Sequence, residues 1–144
     1  MSFFFHTDKI NFKLQDTSLY KAWLKRIIAG YYKSPGTINF IFTSNDELLK
    51  INKVYLNHNY YTDVITFNFN RDDLIEGDIY ISIDQVRINA NLYSQNFTTE
   101  LERIMVHGIL HLIGFDDKEA QDKIVMTNEE NRALKLLQGI KDEN

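Results

Sequence analysis

The segment "HGILHLIGFDDKE", residues 107–119, carries the strongest pattern in the chain, because two histidines four positions apart lie among apolar residues. Apolar residues at this spacing predict an amphipathic helix that packs on a core. Residues i and i+4 of a helix lie on the same face, so His107 and His111 can offer two imidazole nitrogens to one metal ion. The segment therefore predicts a helix that carries part of a metal site.

A glycine and two aspartates follow the second histidine at positions that suit a third ligand. Gly114 is placed to end the helix in a left-handed conformation, after which the chain reverses. Either Asp116 or Asp117 can then return to the histidines as a carboxylate ligand. Two imidazoles, one carboxylate and an open fourth position are typical of a catalytic zinc site rather than a structural one.

Other interpretations of the same residues stay open. Histidines on an apolar helix are often hydrogen-bonded core residues without a metal. A metallopeptidase of the H-E-x-x-H type needs a glutamate as general base where this chain has Gly108, which disfavours peptide hydrolysis. Asp116 is a candidate for an acid–base role or for a position behind the metal ligands, and it fits equally well as a solvated cap of the next helix.

The composition limits the class of protein. A chain of 144 residues with 44% hydrophobic content is long enough to form one domain with a core. It contains no cysteine, so disulfide-linked partners and thiolate ligands are excluded and a metal must be held by nitrogen and oxygen. We expect no membrane association and a cytoplasmic protein, because no apolar stretch suits a transmembrane helix and no signal-peptide pattern is present. The net charge of −4 disfavours a broad basic surface for nucleic acid.

The hydrophobic patterns predict one α+β domain over residues 1–144, with a small mixed four-stranded sheet and about five helices. Residues 137–144 are expected to form a flexible tail. Strands are predicted at 9–15, 37–43, 64–69 and 78–83, the last two as a hairpin, and helices at about 16–32, 44–55, 84–93, 98–113 and 118–137.

The residues "HGILHLIGFDD" resemble the signature H-G-x-L-H-L-x-G-[YF]-D-H of the YbeY-type endoribonucleases at every position except the last. The blocks "TDVITF" (62–67) and "GDIYIS" (77–82) are similar to two strand blocks of that family. The resemblance implies an α+β fold in which the histidine helix lines a metal cleft. It also implies one zinc ion per chain, bound by His107, His111 and Asp117, and hydrolysis of single-stranded RNA. It also implies ribosomal RNA and the small ribosomal subunit as partners, with roles in maturation of the 3′ end of 16S RNA and in ribosome quality control.

Two positions depart from the family pattern. Asp117 replaces the third histidine. Its carboxylate can bind zinc, but it makes the ion a weaker Lewis acid, and harder metals such as manganese can compete. Leu56 occupies the position where the family usually carries an arginine, and His58 is either its substitute or an exposed loop residue.

RNA contacts in this acidic chain are expected from a few cations and aromatic residues. Arg103, Arg87 and Lys25 are the candidate phosphate-binding residues, although Lys25 also fits a plain solvated helix face. Tyr60 and Tyr61 can stack on unpaired bases or serve as packing residues. A non-catalytic, ribosome-associated module with a structural metal is the remaining alternative function.

Overall fold

The computed structural model describes residues 2–143, which form an α+β domain of four strands and five helices. In chain order the elements are β1 (Ser2–Thr7), α1 (Thr17–Gly30), β2 (Ser34–Thr43), α2 (Asn45–Leu56), β3 (Val64–Asn68), β4 (Leu74–Ser82), α3 (Ile83–Leu92), α4 (Phe97–Ile113) and α5 (Ala120–Asp142). The sheet order is β1-β2-β4-β3, with β1–β2 and β2–β4 parallel and β3 antiparallel to β4. The predicted fold class, mixed sheet and β3–β4 hairpin are confirmed.

The two central strands, β2 and β4, provide the apolar face on which the helices pack. Alternate residues of a strand point to the same face of the sheet. Ile38 and Phe40 of β2 and Ile79 and Ile81 of β4 follow this alternation, and each is fully buried. The histidine helix α4 crosses β4 and β3 and also packs against α3 and α5, so it lies at the centre of the core.

Helix α4 is the most buried helix within the described part of the chain, with ten of its seventeen residues buried. It begins earlier than predicted, because the side chain of Asn96 caps it by accepting a hydrogen bond from the Thr99 N–H at 2.7 Å. Glu102 is buried and accepts hydrogen bonds from Tyr20 of α1 and Lys141 of α5, at 2.8 and 2.9 Å. These contacts tie α1 and α5 to α4.

Gly108 lies where α4 comes closest to the sheet. A β-carbon at this position would lie 2.7 Å from Cγ2 of the buried Ile79 on β4. A larger side chain would therefore push the helix away from the sheet. The glycine that disfavours an H-E-x-x-H peptidase has a packing reason, since a glutamate at this position would collide with the core.

The strand predicted at residues 9–15 is wrong: that segment is irregular, and the first strand is β1, paired in parallel with β2. The alternation of apolar residues that suggested a strand has another cause. Ile10, Phe12 and Leu14 are partly buried and pack against the core from a loop, without a ladder of backbone hydrogen bonds.

The flexible tail predicted over residues 137–144 is also wrong where the structure describes it, because α5 continues through Asp142. Ala133, Leu137 and Ile140 are buried at helical spacing, so the apolar stripe of α5 extends beyond the predicted end. Burial of these side chains holds the last turns on the core. Within residues 2–143, no helix combines the length and the apolar composition that crossing a membrane requires.

We expect Gly108→Ala to lower the free energy of unfolding by about 1–3 kcal/mol, because the added methyl group overpacks the contact between α4 and Ile79. Thermal or denaturant unfolding of the metal-free protein measures this change. Gly139→Ala is the matched control, since this helical glycine has open space at its β-carbon position and alanine favours helix by up to about 1 kcal/mol. Equal stability of the two variants would contradict the close approach.

Candidate metal centre

Three side chains predicted as metal ligands converge at the C-terminal end of α4. The Nε2 atoms of His107 and His111 lie 3.0 Å apart. Oδ2 of Asp117 lies 3.2 Å from the first and 3.3 Å from the second. Ligands bonded to one tetrahedral zinc ion lie about 3.3 Å from each other. The observed spacing and the nitrogen and oxygen donors therefore fit a divalent metal ion.

The second nitrogen of each imidazole has a protein partner, and this fixes which nitrogen faces the centre. Nδ1 of His107 lies 2.6 Å from Oε2 of Glu130. Nδ1 of His111 lies 3.0 Å from the carbonyl oxygen of Phe115. Such partners bind the Nδ1–H and leave both Nε2 atoms available as metal ligands.

The turn after α4 brings both the Phe115 carbonyl and the third ligand into place. Gly114 follows the helix with a φ of 128°, a conformation that glycine adopts at low cost. Its N–H and that of Phe115 both donate to the carbonyl of Leu110, at 3.1 and 3.0 Å. The predicted helix end and chain reversal are thus observed, and the reversal returns Asp117 to the histidines.

Asp116 takes a different position from Asp117, so the structure separates two residues that spacing alone left open. Asp116 is exposed and does not line the cleft. Its Oδ1 accepts a hydrogen bond from the Asp117 N–H at 2.8 Å. The idea that Asp116 caps α5 is wrong, because Glu119 and Asp122 form the capping box of that helix.

The charges around His107 favour a bound cation. Burial works against the charged form of its imidazole, but the hydrogen bond and charge of Glu130, with the charges of Asp117 and Asp63, outweigh burial and raise the pKa of His107. Burial raises the pKa of Asp63, against the opposing effects of His107 and of a 3.0 Å hydrogen bond from Asn89. Three carboxyl groups thus surround the two histidines.

The centre opens into a cleft of about 370 Å³. The wall opposite the histidines comes from β3, from the end of α2 and from the loop between them. On that wall the rings of His58 and Tyr60 are stacked, with centroids 5.1 Å apart and an angle of 20° between their planes. Leu56, at the position of the expected arginine, lines the same wall and is 40% exposed.

Comparisons with known proteins identify the family of the chain. Residues 4–138 match the model of a family described as Endoribonuclease YbeY. The chain belongs to the YbeY endoribonuclease family.

Relatives and a solved structure cover most of the chain. An Endoribonuclease YbeY of Azobacteroides pseudotrichonymphae is 49% identical over 115 residues, which span 80% of this chain and 83% of the relative. The Endoribonuclease YbeY of Flavobacterium psychrophilum is 44% identical over 128 residues, spanning 89% and 91%. A Thermotoga maritima protein whose structure was solved in solution aligns with a TM-score of 0.67 at 25% identity, covering 99% of this chain and 93% of that one.

The three cations predicted to bind RNA do not line the cleft. Both ends of the Arg103 guanidinium are engaged, with Nη1 donating to Glu130 and Nη2 to Asn131, each at 2.8 Å. Arg87 is exposed, with its guanidinium 5.2 Å from the centroid of the Phe97 ring at the start of α4. Lys25 is exposed on α1 beside β1, at the opposite edge of the sheet from β3.

Glu130 is the residue of this centre that the sequence analysis missed. It lies on α5, nineteen or more positions after each histidine of the signature, so no local motif includes it. A signal was nevertheless present, because Glu130 falls on the apolar stripe of α5 between Met126 and Ala133, and all three are buried. An acidic residue on the buried face of a helix needs a partner, and His107 and Arg103 provide it.

Metal binding should depend on the converging side chains. We expect the purified protein to hold about one divalent ion per chain, and His111→Ala to lose stoichiometric binding because one of three ligands is removed. Elemental analysis after gel filtration gives the stoichiometry. His6→Ala is the control, since His6 lies on β1 and contacts Asn39 instead of the centre. Stoichiometric metal in His111→Ala, at wild-type affinity, would contradict the assignment of the ligands.

Proposed function

We propose that this protein is a zinc-dependent, single-strand-specific endoribonuclease that acts in the cytoplasm in ribosome biogenesis. Its proposed reaction is hydrolysis of a phosphodiester bond during maturation of the 3′ end of 16S ribosomal RNA, with a further role in ribosome quality control. The observation that carries this proposal is the convergence of His107, His111 and Asp117 at an open cleft in a chain of the YbeY endoribonuclease family.

The three converging side chains would hold one ion, and each has a supporting contact. His107 and His111 would bind through Nε2, and Asp117 through Oδ2. The carboxylate of Asp116 accepts a hydrogen bond from the backbone N–H of Asp117. This contact supports a role for Asp116 behind the metal ligands rather than an acid–base role. The bound ion would supply positive charge that polarises the phosphate and promotes attack on phosphorus.

The charge of the cleft supports metal dependence. Among the described residues that line the cleft, none is a lysine or an arginine, whereas Asp63 and Asp117 are both present. A phosphodiester entering this cleft would meet carboxylates without a cationic side chain to offset them. A bound metal ion would therefore be the local source of positive charge, and exposed cations such as Arg87 and Lys25 would contact RNA only outside the cleft.

The stacked pair His58–Tyr60 supports the preference for unpaired RNA. Tyr60 Oη and His58 Nδ1 lie 2.9 Å apart, and the buried Asn52 donates a 2.9 Å hydrogen bond to the backbone carbonyl of Tyr60. The loop that carries the pair is thereby anchored to α2, while the Tyr60 side chain is 56% exposed. An exposed ring at the wall of the cleft can stack on a base only when that base is not paired within a duplex.

A metallopeptidase is disfavoured on steric as well as chemical grounds. The general base of an H-E-x-x-H peptidase would occupy the position of Gly108, which faces Ile79 in the core instead of the cleft. A glutamate there would need α4 to move away from the sheet.

Cleavage of RNA should depend on an intact metal centre. With precursor small-subunit RNA as substrate, we expect the wild type to produce 3′-end cleavage and His111→Ala to lose it, because the variant lacks a metal ligand. A fully duplexed RNA of the same sequence should be resistant. Product mapping on denaturing gels measures both results. Equal cleavage by the two proteins would assign the activity to a contaminating nuclease, and unchanged cleavage after exhaustive chelation would contradict metal dependence.

Loss of the exposed ring at the cleft should weaken RNA binding. Tyr60→Ala is expected to raise KM for single-stranded RNA by about 5- to 100-fold, because stacking on one base is worth about 1–3 kcal/mol, with a smaller change in kcat. Steady-state kinetics separates the two constants. Tyr61→Ala is the matched control, since Tyr61 is equally exposed and does not line the cleft. Equal effects of both substitutions would argue against a specific base contact.

A further inference from the structure

We propose that Glu130 is a positioning residue for the metal centre, which holds the His107 imidazole so that Nε2 faces the metal and strengthens it as a donor. Arg103 supports this arrangement, because its positive charge balances the negative charge of Glu130. This inference rests on the proposed metal site and adds to it the group that controls one of its ligands.

The two oxygens of Glu130 serve two different partners. Oε2 lies 2.6 Å from Nδ1 of His107, and Oε1 accepts a hydrogen bond from Nη1 of Arg103 at 2.8 Å. The Glu130 side chain is only 9% exposed, so water competes little for either contact. Hydrogen bonds to a charged group are shorter and stronger than those between neutral groups. His107 is therefore held by a short contact to a largely buried carboxylate.

The position of Glu130 on α5 argues against a role that is limited to stabilising the fold. It lies between Met126 and Ala133 on the buried stripe, where an apolar side chain would pack without a desolvation cost. Replacing buried ion pairs with apolar residues is often neutral or stabilising. A carboxylate in this place, with one oxygen on a metal-binding histidine, is better explained by its effect on that histidine.

The two histidines are supported in different ways. Nδ1 of His111 contacts the neutral carbonyl of Phe115, whereas Nδ1 of His107 contacts a carboxylate. A carboxylate draws the Nδ1 proton more strongly, which increases the electron density at Nε2. His107 should therefore be the stronger of the two nitrogen donors.

The geometry of α4 places Arg103 next to the contact between His107 and Glu130. Its position is four residues before His107, so both side chains lie on the same face of α4 and reach the same residue of α5. The second end of its guanidinium donates to Asn131 at 2.8 Å, which fixes the plane of the group. The pair Arg103–Glu130 thus presents an oriented carboxylate to His107.

The test compares two neighbouring glutamates on α5. Metal affinity is measured by competition with a chelator for the full chain, with zinc and then with cobalt(II), whose absorption spectrum reports on the ligand set. Glu130→Gln keeps the shape but removes the charge, and we expect a loss of about 10- to 100-fold in affinity with an altered cobalt spectrum. Glu129→Gln is the matched control, because Glu129 contacts Tyr31 and Arg132 outside the cleft, and it should bind metal as the wild type does.

A second measurement uses the wild type alone and does not depend on any variant folding. Heteronuclear NMR of the imidazole nitrogens in the zinc-loaded protein should show His107 with a slowly exchanging Nδ1–H and with Nε2 bound to the metal. A metal bond at Nδ1 of His107, or wild-type affinity in Glu130→Gln, would overturn this inference while leaving the metal site intact. A wild type that binds no metal would overturn both the inference and the proposed function, so the two failures are distinguishable.

Discussion

The contact between Gly108 of α4 and Ile79 of β4 is the constraint on which the metal centre depends. A side chain at position 108 would meet Ile79 at 2.7 Å, so only glycine lets the helix lie this close to the sheet. With the glycine turned toward the core, His107 and His111 face the cleft one turn apart. The apolar packing of one face of α4 therefore fixes the direction of the histidines on its other face. Residues of β3 and α2 form the opposite wall of the cleft.

Charge gives this centre its chemical character. The described residues lining the cleft include two aspartates and neither lysine nor arginine, and Glu130 adds a third carboxylate behind His107. Such a site attracts a cation and would repel a phosphodiester until the cation is bound. In the proposed function, metal binding and RNA binding would therefore be coupled by electrostatics, because the ion that balances the carboxylates would also attract a phosphate. Asp117 in place of a neutral histidine would strengthen this dependence on the ion.

Local patterns predicted the site better than they predicted the chain termini. The spacing of His107 and His111 and the turn at Gly114 depend on residues near one another in sequence, and the structure places them as predicted. The alternation over residues 9–15 was misleading, since a loop that lays alternate side chains on a core has the same period as a strand. The final turns of α5 looked too polar to be ordered, yet burial of Leu137 and Ile140 holds them in place.

The sequence by itself determined the α+β class, the histidine helix, the end of that helix at Gly114 and the family. Each of these depends on short-range periodicity or on a compact motif. The family signature pointed to Asp117 as the third ligand, but only the tertiary structure shows that Asp117 and not Asp116 faces the histidines, since two adjacent residues on a turn differ in the direction of their side chains. The tertiary structure also decided that Arg103 is bound to Glu130 rather than directed at RNA, and that Glu130 supports His107. These contacts join residues more than twenty positions apart, and only the packing of α5 on α4 brings them within hydrogen-bonding distance.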